Sequence, residues 1–194
     1  GMYVAYSNWA YLKNRYSKRE DYANSYLGWV SHVAGKRESR RVIGEFVLRE
    51  QDLKNNVIYP DGSASTSWYI DQHYPDPENS RRFPGQEYLS CGHLDPMGFY
   101  PIPYRCFYSK DIVNMFMAGR DISVSHIALG TVRVMRTTAM MGEVVGMAAT
   151  ICRRRKCMPR DIYHTHLEEL KSMMRRGVGR TDMPYTQIYT LIDT

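Results

Sequence analysis

Two short runs in the C-terminal half carry backbone and side chains that can do binding chemistry. Ala118-Gly119-Arg120-Asp121 follows the apolar run from Ile112 and reads as a strand leaving through a sharp glycine turn. Leu129-Gly130-Thr131 then falls at what the pattern predicts to be the start of a long helix reaching Ala149. The first N–H groups of a helix have no intrahelical partner, and that end of the helix carries partial positive charge. A phosphate or an electron-rich ring placed there is stabilised by roughly 0.3 to 1 kcal/mol, enough to tune a ligand but not to hold it alone. Asp121, just beyond the strand end, can accept hydrogen bonds from hydroxyl groups. A plain strand, turn and helix with a glycine cap satisfies the same spacing.

Other candidates are single residues. Arg40 and Arg105 can orient a substrate carboxylate through the fixed guanidinium fork. The same two groups can equally close internal ion pairs, for example with Glu38 or Asp121. His126 follows the turn and can donate a proton, since imidazole titrates near neutrality; the plain alternative is a packed, hydrogen-bonded histidine. His164 and His166 stand two apart, and positions two apart on a helix point in different directions, so no metal site is expected. Cys91-Gly-His93 sits in a loop with nothing to lower the thiol pKa and receives no role.

The elements that must position these groups follow from periodicity. Tyr3, Tyr6, Trp9, Leu12 and Tyr16 suggest a first helix, and Tyr22, Tyr26, Trp29 or Val30, and Val33 a second one ending at Gly35. Packing of these aromatics against a sheet is expected in preference to a ligand platform. Arg41–Leu48 and Ser67–His73 mix β-branched and aromatic residues and read as strands. From His73 to Gly98, Pro75, Pro77, Pro84 and Pro96 punctuate the chain too often for a helix or a central strand, which predicts a long loop of the functional or mobile kind. Strand character resumes over Phe99–Tyr108, and Ile112–Ala118 suits a buried strand. Ala139, Gly142, Gly146 and Ala149 recur on one helical face and leave a smooth groove. Pro159 opens a last helix with Tyr163, Leu167, Leu170 and Met174 on one face and Gly177 as its cap.

Composition removes several classes. With 194 residues, 43% of them hydrophobic and 24% charged, the chain can bury a real core and is not disordered. The net charge of +6 allows contact with anions. Its densest cationic run, Arg153-Arg-Arg-Lys156, is more simply the last turn of a helix, where cations complement the dipole, and nucleic acid is not expected as a partner. Four cysteines without a C-x-x-C pair are too sparse for a disulfide scaffold and read as free thiols. No apolar stretch reaches the roughly 20 residues of a membrane helix, and no signal segment opens the chain, so a soluble, cytoplasmic protein is expected.

The ordered set Gly35-Lys-Arg-Glu-Ser-Arg-Arg-Val-Ile-Gly-Glu-Phe-Val-Leu48, Tyr100-Pro-Ile-Pro-Tyr-Arg-Cys106, Ala118-Gly-Arg-Asp-Ile-Ser123 through Arg133-Val-Met135, and Gly146-Met-Ala-Ala149 resembles bacterial FAD-dependent oxidoreductases. The resemblance runs from Trp9 to Gly177. That family is similar to the glutathione-reductase-like flavoproteins, and some relatives carry a xanthan lyase label, for which no dedicated residues stand here. The resemblance implies FAD as cofactor, bound through Gly119, Arg120, Asp121, Leu129, Gly130, Thr131 and Arg133. It places Arg40, Arg105 and His126 near the flavin or a small-molecule substrate. The implied fold is α+β: a partial FAD-dependent oxidoreductase fold, a mixed sheet with several helices. Residues 2–110 would belong to a substrate domain and residues 111–194 to the flavin-contacting strand, long helix and terminal helix.

One departure is large. The G-x-G-x-x-G turn that cradles the FAD pyrophosphate is absent, so the N-terminal Rossmann unit is lacking and the chain by itself is expected to bind FAD weakly or not at all. The missing nucleotide-binding portion, or another copy of the chain, becomes the expected partner. A homo-oligomer covering the groove left on the long helix is also expected. The rival reading is a non-catalytic, truncated relative serving as an assembly module.

Overall fold

Met2–Asn14 forms helix α1, as the aromatic steps at Tyr3, Tyr6, Trp9 and Leu12 predict. The computed structural model describes residues 1–33, 40–72, 78, 81, 92–94 and 98–179. The chain divides into two compact units, Gly1–Arg37 and Glu38–Thr194.

In the first unit α1 buries no residue fully and packs on a single 3-10 turn, Arg19–Tyr22. Trp9 meets Tyr22 edge-on with ring centroids 6.4 Å apart. The Lys13 ammonium donates to the carbonyls of Tyr22, Ala23 and Ser25 at 2.8, 2.9 and 3.0 Å. Carbonyls held this way are spent outside any helix ladder, and the helix expected over Tyr22–Val33 does not form: residues 25–31 carry no regular structure. Tyr26 and Trp29 are exposed. Trp9, Tyr11, Tyr16 and Tyr22 pack on one another rather than on a sheet, since the described residues of this unit include no strand.

The second unit holds two separate antiparallel pairs, β1 (Gly62–Thr66) with β4 (Tyr100–Pro103) and β2 (Ile70–Gln72) with β3 (Gly92–Leu94). The class is α+β, but the expected mixed sheet is not found among the described residues. Strand β1, Gly-Ser-Ala-Ser-Thr, has the composition of a loop. It becomes a strand because its partner buries it and supplies acceptors: the Ser63 hydroxyl donates to the Ile102 carbonyl at 2.8 Å. A Cβ on Gly62 would sit 2.8 Å from the Pro101 Cβ, so glycine lets the proline-bearing strand approach. Most of the predicted long loop, including Cys91, lies outside the described residues; within it β3 is strand rather than loop, pairing Asp71 with His93.

Residues 41–48 are extended but make no ladder. The Val42 and Leu48 N–H groups donate to the carbonyls of Asp121 and Ser123 (2.9 and 3.2 Å), while Phe46 N–H points to the Arg105 carbonyl at 3.4 Å. The segment threads between two others and alternates sides, which leaves isolated bridges Gly44–Ser109 and Leu48–Val124 where a strand was expected. Because it bonds to residues on both sides of position 110, the anticipated domain boundary there falls inside the second unit.

Ile112–Ala118 is not a buried strand. The Ser109 hydroxyl accepts from the N–H groups of Asp111 and Ile112 at 3.2 and 3.0 Å, folding a turn that leaves Ile112 and Val113 in solvent. Only Met117 is buried, its N–H on the Phe107 carbonyl at 2.8 Å.

Short helix α2 spans Glu50–Lys54, and the predicted long helix is two helices, α3 (His126–Val132) and α4 (Met135–Arg155). Arg133 N–H closes α3 on the Leu129 carbonyl, and Val134 restarts the chain without a side-chain cap. The terminal helix is likewise split at His166 into α5 (Pro159–Thr165) and α6 (Leu167–Arg176). Leu170 and Met174 face inward as predicted, and Gly177 caps α6 at φ +66°. Tyr100, Ile102, Tyr104 and Phe107 meet Leu48, Met141 and Val144 in one core. Full burial of each large apolar side chain contributes roughly 1.5 to 3 kcal/mol.

Candidate cofactor site

Gly119 takes φ +120°, a region that only glycine occupies without strain, so the sharp turn is real and needs this residue. The turn is pinned at both ends. Val42 N–H holds the Asp121 carbonyl at 2.9 Å, and Ser123 N–H donates to the Cys106 carbonyl at 3.1 Å. The first of these bonds brings Val42, two residues after Arg40, to the turn. Arg40, Arg120 and Asp121 are all exposed. None of the three makes an ion pair with another described residue. The result is a surface corner with two cations, one carboxylate and a backbone open at glycine.

Beyond the corner, Leu48 accepts from Ser125 N–H at 2.8 Å, and the Ser125 hydroxyl caps α3 by accepting from Ala128 N–H at 3.4 Å. His126 is therefore the first residue of α3 and is exposed, not packed in the core.

Leu129, Gly130 and Thr131 are not at a helix start. They occupy the second half of α3, fully buried, and Leu129 N–H is already bonded to the Ser125 carbonyl at 3.0 Å. Their outer face is covered by the β1–β2 connection. The Thr131 hydroxyl donates to the Trp68 carbonyl at 2.6 Å, and the Thr66 hydroxyl donates to the Thr131 carbonyl at 2.9 Å. A Cβ on Gly130 would lie 2.6 Å from the Asp71 carbonyl oxygen. Arg133 donates to the same carbonyl at 3.2 Å. The structure thus separates the anticipated residues into an open corner (Arg40, Gly119, Arg120, Asp121, with His126 nearby in sequence) and a sealed face (Leu129, Gly130, Thr131, Arg133).

Arg105 belongs to neither. Its Nε and Nη2 donate to Asp61 at 2.9 and 3.0 Å, its backbone N–H adds a third bond to the same carboxylate at 3.1 Å, and Asp61 is wholly buried. Phe46, Tyr59 and Tyr163 surround the guanidinium at 5.1, 5.6 and 4.6 Å. The bidentate pair holds the Arg105 proton more firmly than usual. An internal ion pair is what this residue makes, with Asp61 rather than Glu38 or Asp121. Asp61 was hidden in the sequence by its place in Pro60-Asp-Gly62, which reads as a turn.

A second cluster also escaped the sequence. Glu45 accepts from the Tyr108 hydroxyl and from Arg160 Nε, both at 2.9 Å, and His164 Nε2 stands 3.4 Å from its other oxygen. Burial, then the Glu45 contact, pushes the Tyr108 phenol above its ordinary range. These residues lie more than 60 positions apart along the chain for Glu45–Tyr108, and no local pattern connects them. Among the described residues no group of three or more His, Cys, Asp or Glu side chains can hold a metal, and no helix is long and apolar enough to cross a membrane. The first unit has a cavity of about 470 Å³ walled by Tyr6, Trp9, Trp29 and His32, none of them an anticipated site residue.

The family described as FAD dependent oxidoreductase matches residues 3–174. No curated protein and no solved structure matches the chain.

Proposed function

We propose, from the premise that this chain belongs to the FAD dependent oxidoreductase family, that the corner formed by Gly119, Arg120, Asp121 and Arg40 meets the ribityl and phosphate part of FAD. FAD is the cofactor of this family, and when bound it supplies the transfer of electrons or hydride. The exposed Asp121 carboxylate accepts from ribityl hydroxyls, and the two arginines oppose phosphate charge. Gly119 presents backbone without a side chain in the way. His126 offers an exposed imidazole that can hold or release a proton at a ring nitrogen facing solvent. The single observation that carries the reading is this exposed corner, without an ion pair among the described residues, on a turn only glycine can make.

The α3 face does not fit the ring of the cofactor. Leu129, Gly130 and Thr131 are buried against Trp68 and Asp71, so no role toward the flavin is assigned to them while the β1–β2 connection stays in place. Arg105 is a positioning residue that holds Asp61 beside Tyr163, and the Nε–Nη2 edge of its guanidinium is taken by Asp61.

The sequence carries no G-x-G-x-x-G, and in this reading the pyrophosphate cradle comes from a nucleotide-binding portion or from a second copy of the chain. The substrate is a small molecule. Free thiols at Cys106, Cys152 and Cys157 suit a reducing compartment such as the cytoplasm. One observation favours the alternative of an assembly module: Ala139, Gly142, Gly146 and Ala149 are all exposed along α4, a strip that another helix can approach closely. Sedimentation of the wild type and of Gly142→Leu distinguishes the two, since only the module requires a self-association that leucine breaks.

Titration of FAD into the protein, followed by flavin fluorescence, tests the main reading. Saturable quenching that Asp121→Ala weakens about tenfold, equivalent to roughly 1.4 kcal/mol, is expected. Identical saturable curves for the two proteins reject it, and no quenching alongside a stable oligomer favours the assembly module.

A further inference from the structure

The end of α4 brings two thiols together. Cys152 lies in the last turn, and Lys156 caps the helix in the left-handed region at φ 52° and ψ 45°. That reversal puts the N–H groups of both Lys156 and Cys157 on the Cys152 carbonyl, the second at 3.1 Å. The left-handed region is disfavoured for a residue with a Cβ, so the surroundings hold this turn in place. Its consequence is that position 157 folds back over position 152. Both thiols are free and partly exposed, and Cys157 is close enough to act on the Cys152 thiol. Burial first, and then the neighbouring Cys157, pushes the Cys152 thiol up to about 12. Exposed cations Arg153, Arg154, Arg155 and Lys156 lead directly into Cys157, and Asp161 and Tyr104 face the pair from α5 and from the core.

We infer that Cys152 and Cys157 form a reversible oxidation site, closing an intramolecular disulfide when the protein meets a peroxide. In the first step the Cys157 sulfur attacks hydrogen peroxide. An S–O bond forms, the O–O bond breaks, and the thiol proton leaves with the departing oxygen as water, giving a sulfenic acid. Cys152 then attacks that sulfur; the S–S bond forms, the S–O bond breaks, and a second water leaves. One peroxide is reduced and two thiols are oxidised, and an external dithiol reverses the change. Cys157 takes the first step because it lies beyond the helix end, directly after the exposed cations Arg153, Arg154, Arg155 and Lys156, which favour a thiolate. Cys106 is completely buried, which keeps it out of the exchange.

The disulfide has a structural readout. Tyr104 donates its hydroxyl to the carbonyl of Pro159, the first residue of α5, at 2.8 Å. A bond between the cysteines staples the α4–α5 junction and raises the thermal midpoint by a few degrees.

The experiment exposes the full protein to hydrogen peroxide, alkylates remaining thiols and digests it for mass spectrometry. A peptide linked through Cys152 and Cys157, lighter by two hydrogens, lost on treatment with dithiothreitol and present also in Cys106→Ser, is the expected result. Separate alkylation of Cys152 and Cys157 after peroxide overturns the proposal, and so does a linked peptide that pairs either of them with another cysteine.

Discussion

The Arg105 guanidinium grips the Asp61 carboxylate with two parallel hydrogen bonds, 2.9 and 3.0 Å long, and Asp61 exposes none of its surface. Removing one member of such a pair strands the other as an uncompensated buried charge, at about 3 to 5 kcal/mol. Arg105→Met is therefore expected to cost more stability in urea than Asp61→Asn, because it leaves a buried carboxylate facing an aromatic cage. The double variant should recover part of the loss. Equal, small effects from all three would show that the pair is not buried in solution.

Glycine to alanine changes sign with position. At Gly130 a Cβ meets the Asp71 carbonyl oxygen at 2.6 Å, and this crowding, about 1 to 3 kcal/mol, outweighs the gain in helix propensity of up to about 1 kcal/mol. At Gly142 and Gly146 nothing lies within 4 Å, so only the gain remains. Thermal melts should place Gly130→Ala below the wild type and Gly142→Ala and Gly146→Ala above it. A stabilised Gly130→Ala would mean that the β1–β2 connection does not cover α3.

Alkali should unfold this protein cooperatively. Tyr100, Tyr104 and Tyr108 are all shifted upward, burial being the largest cause in each. They keep their protons in the folded state where the unfolded chain releases them, so their contribution is intact below about pH 10 and falls as pH rises beyond it. Phenolate absorbance from these residues should appear together with loss of helical circular dichroism. Full ionisation of all tyrosines with the helices still intact would contradict the burial.

What could be read in advance was what local pattern decides. The spacing of Tyr3, Tyr6, Trp9 and Leu12 gave α1, Pro159 and Gly177 marked the limits of the last two helices, and the Gly119 turn stood where its glycine placed it. The misses came from distant partners. Ser63 and Thr66 look like loop residues until Ile102 and Thr131 supply their hydrogen bonds. Tyr22 to Val33 has helical spacing, but the Lys13 ammonium takes the carbonyls that a helix would need. The break at Arg133 has no glycine or proline to announce it, and the Ser125 cap starts the helix at His126, three residues before the expected Leu129. Around the candidate site the same division holds: the turn at Gly119 was legible, while the sealing of Thr131 by Trp68 depends on a contact 63 residues away.

Hydrogen exchange with and without FAD tests the central claim most directly, because it reports where the ligand sits. Protection on binding is predicted over residues 118–123 and 40–43, with residues 129–133 already slow in the free protein and little changed. Protection confined to residues 129–133, or to the aromatic cavity of the first unit, would contradict the assignment of the outer corner as the FAD contact.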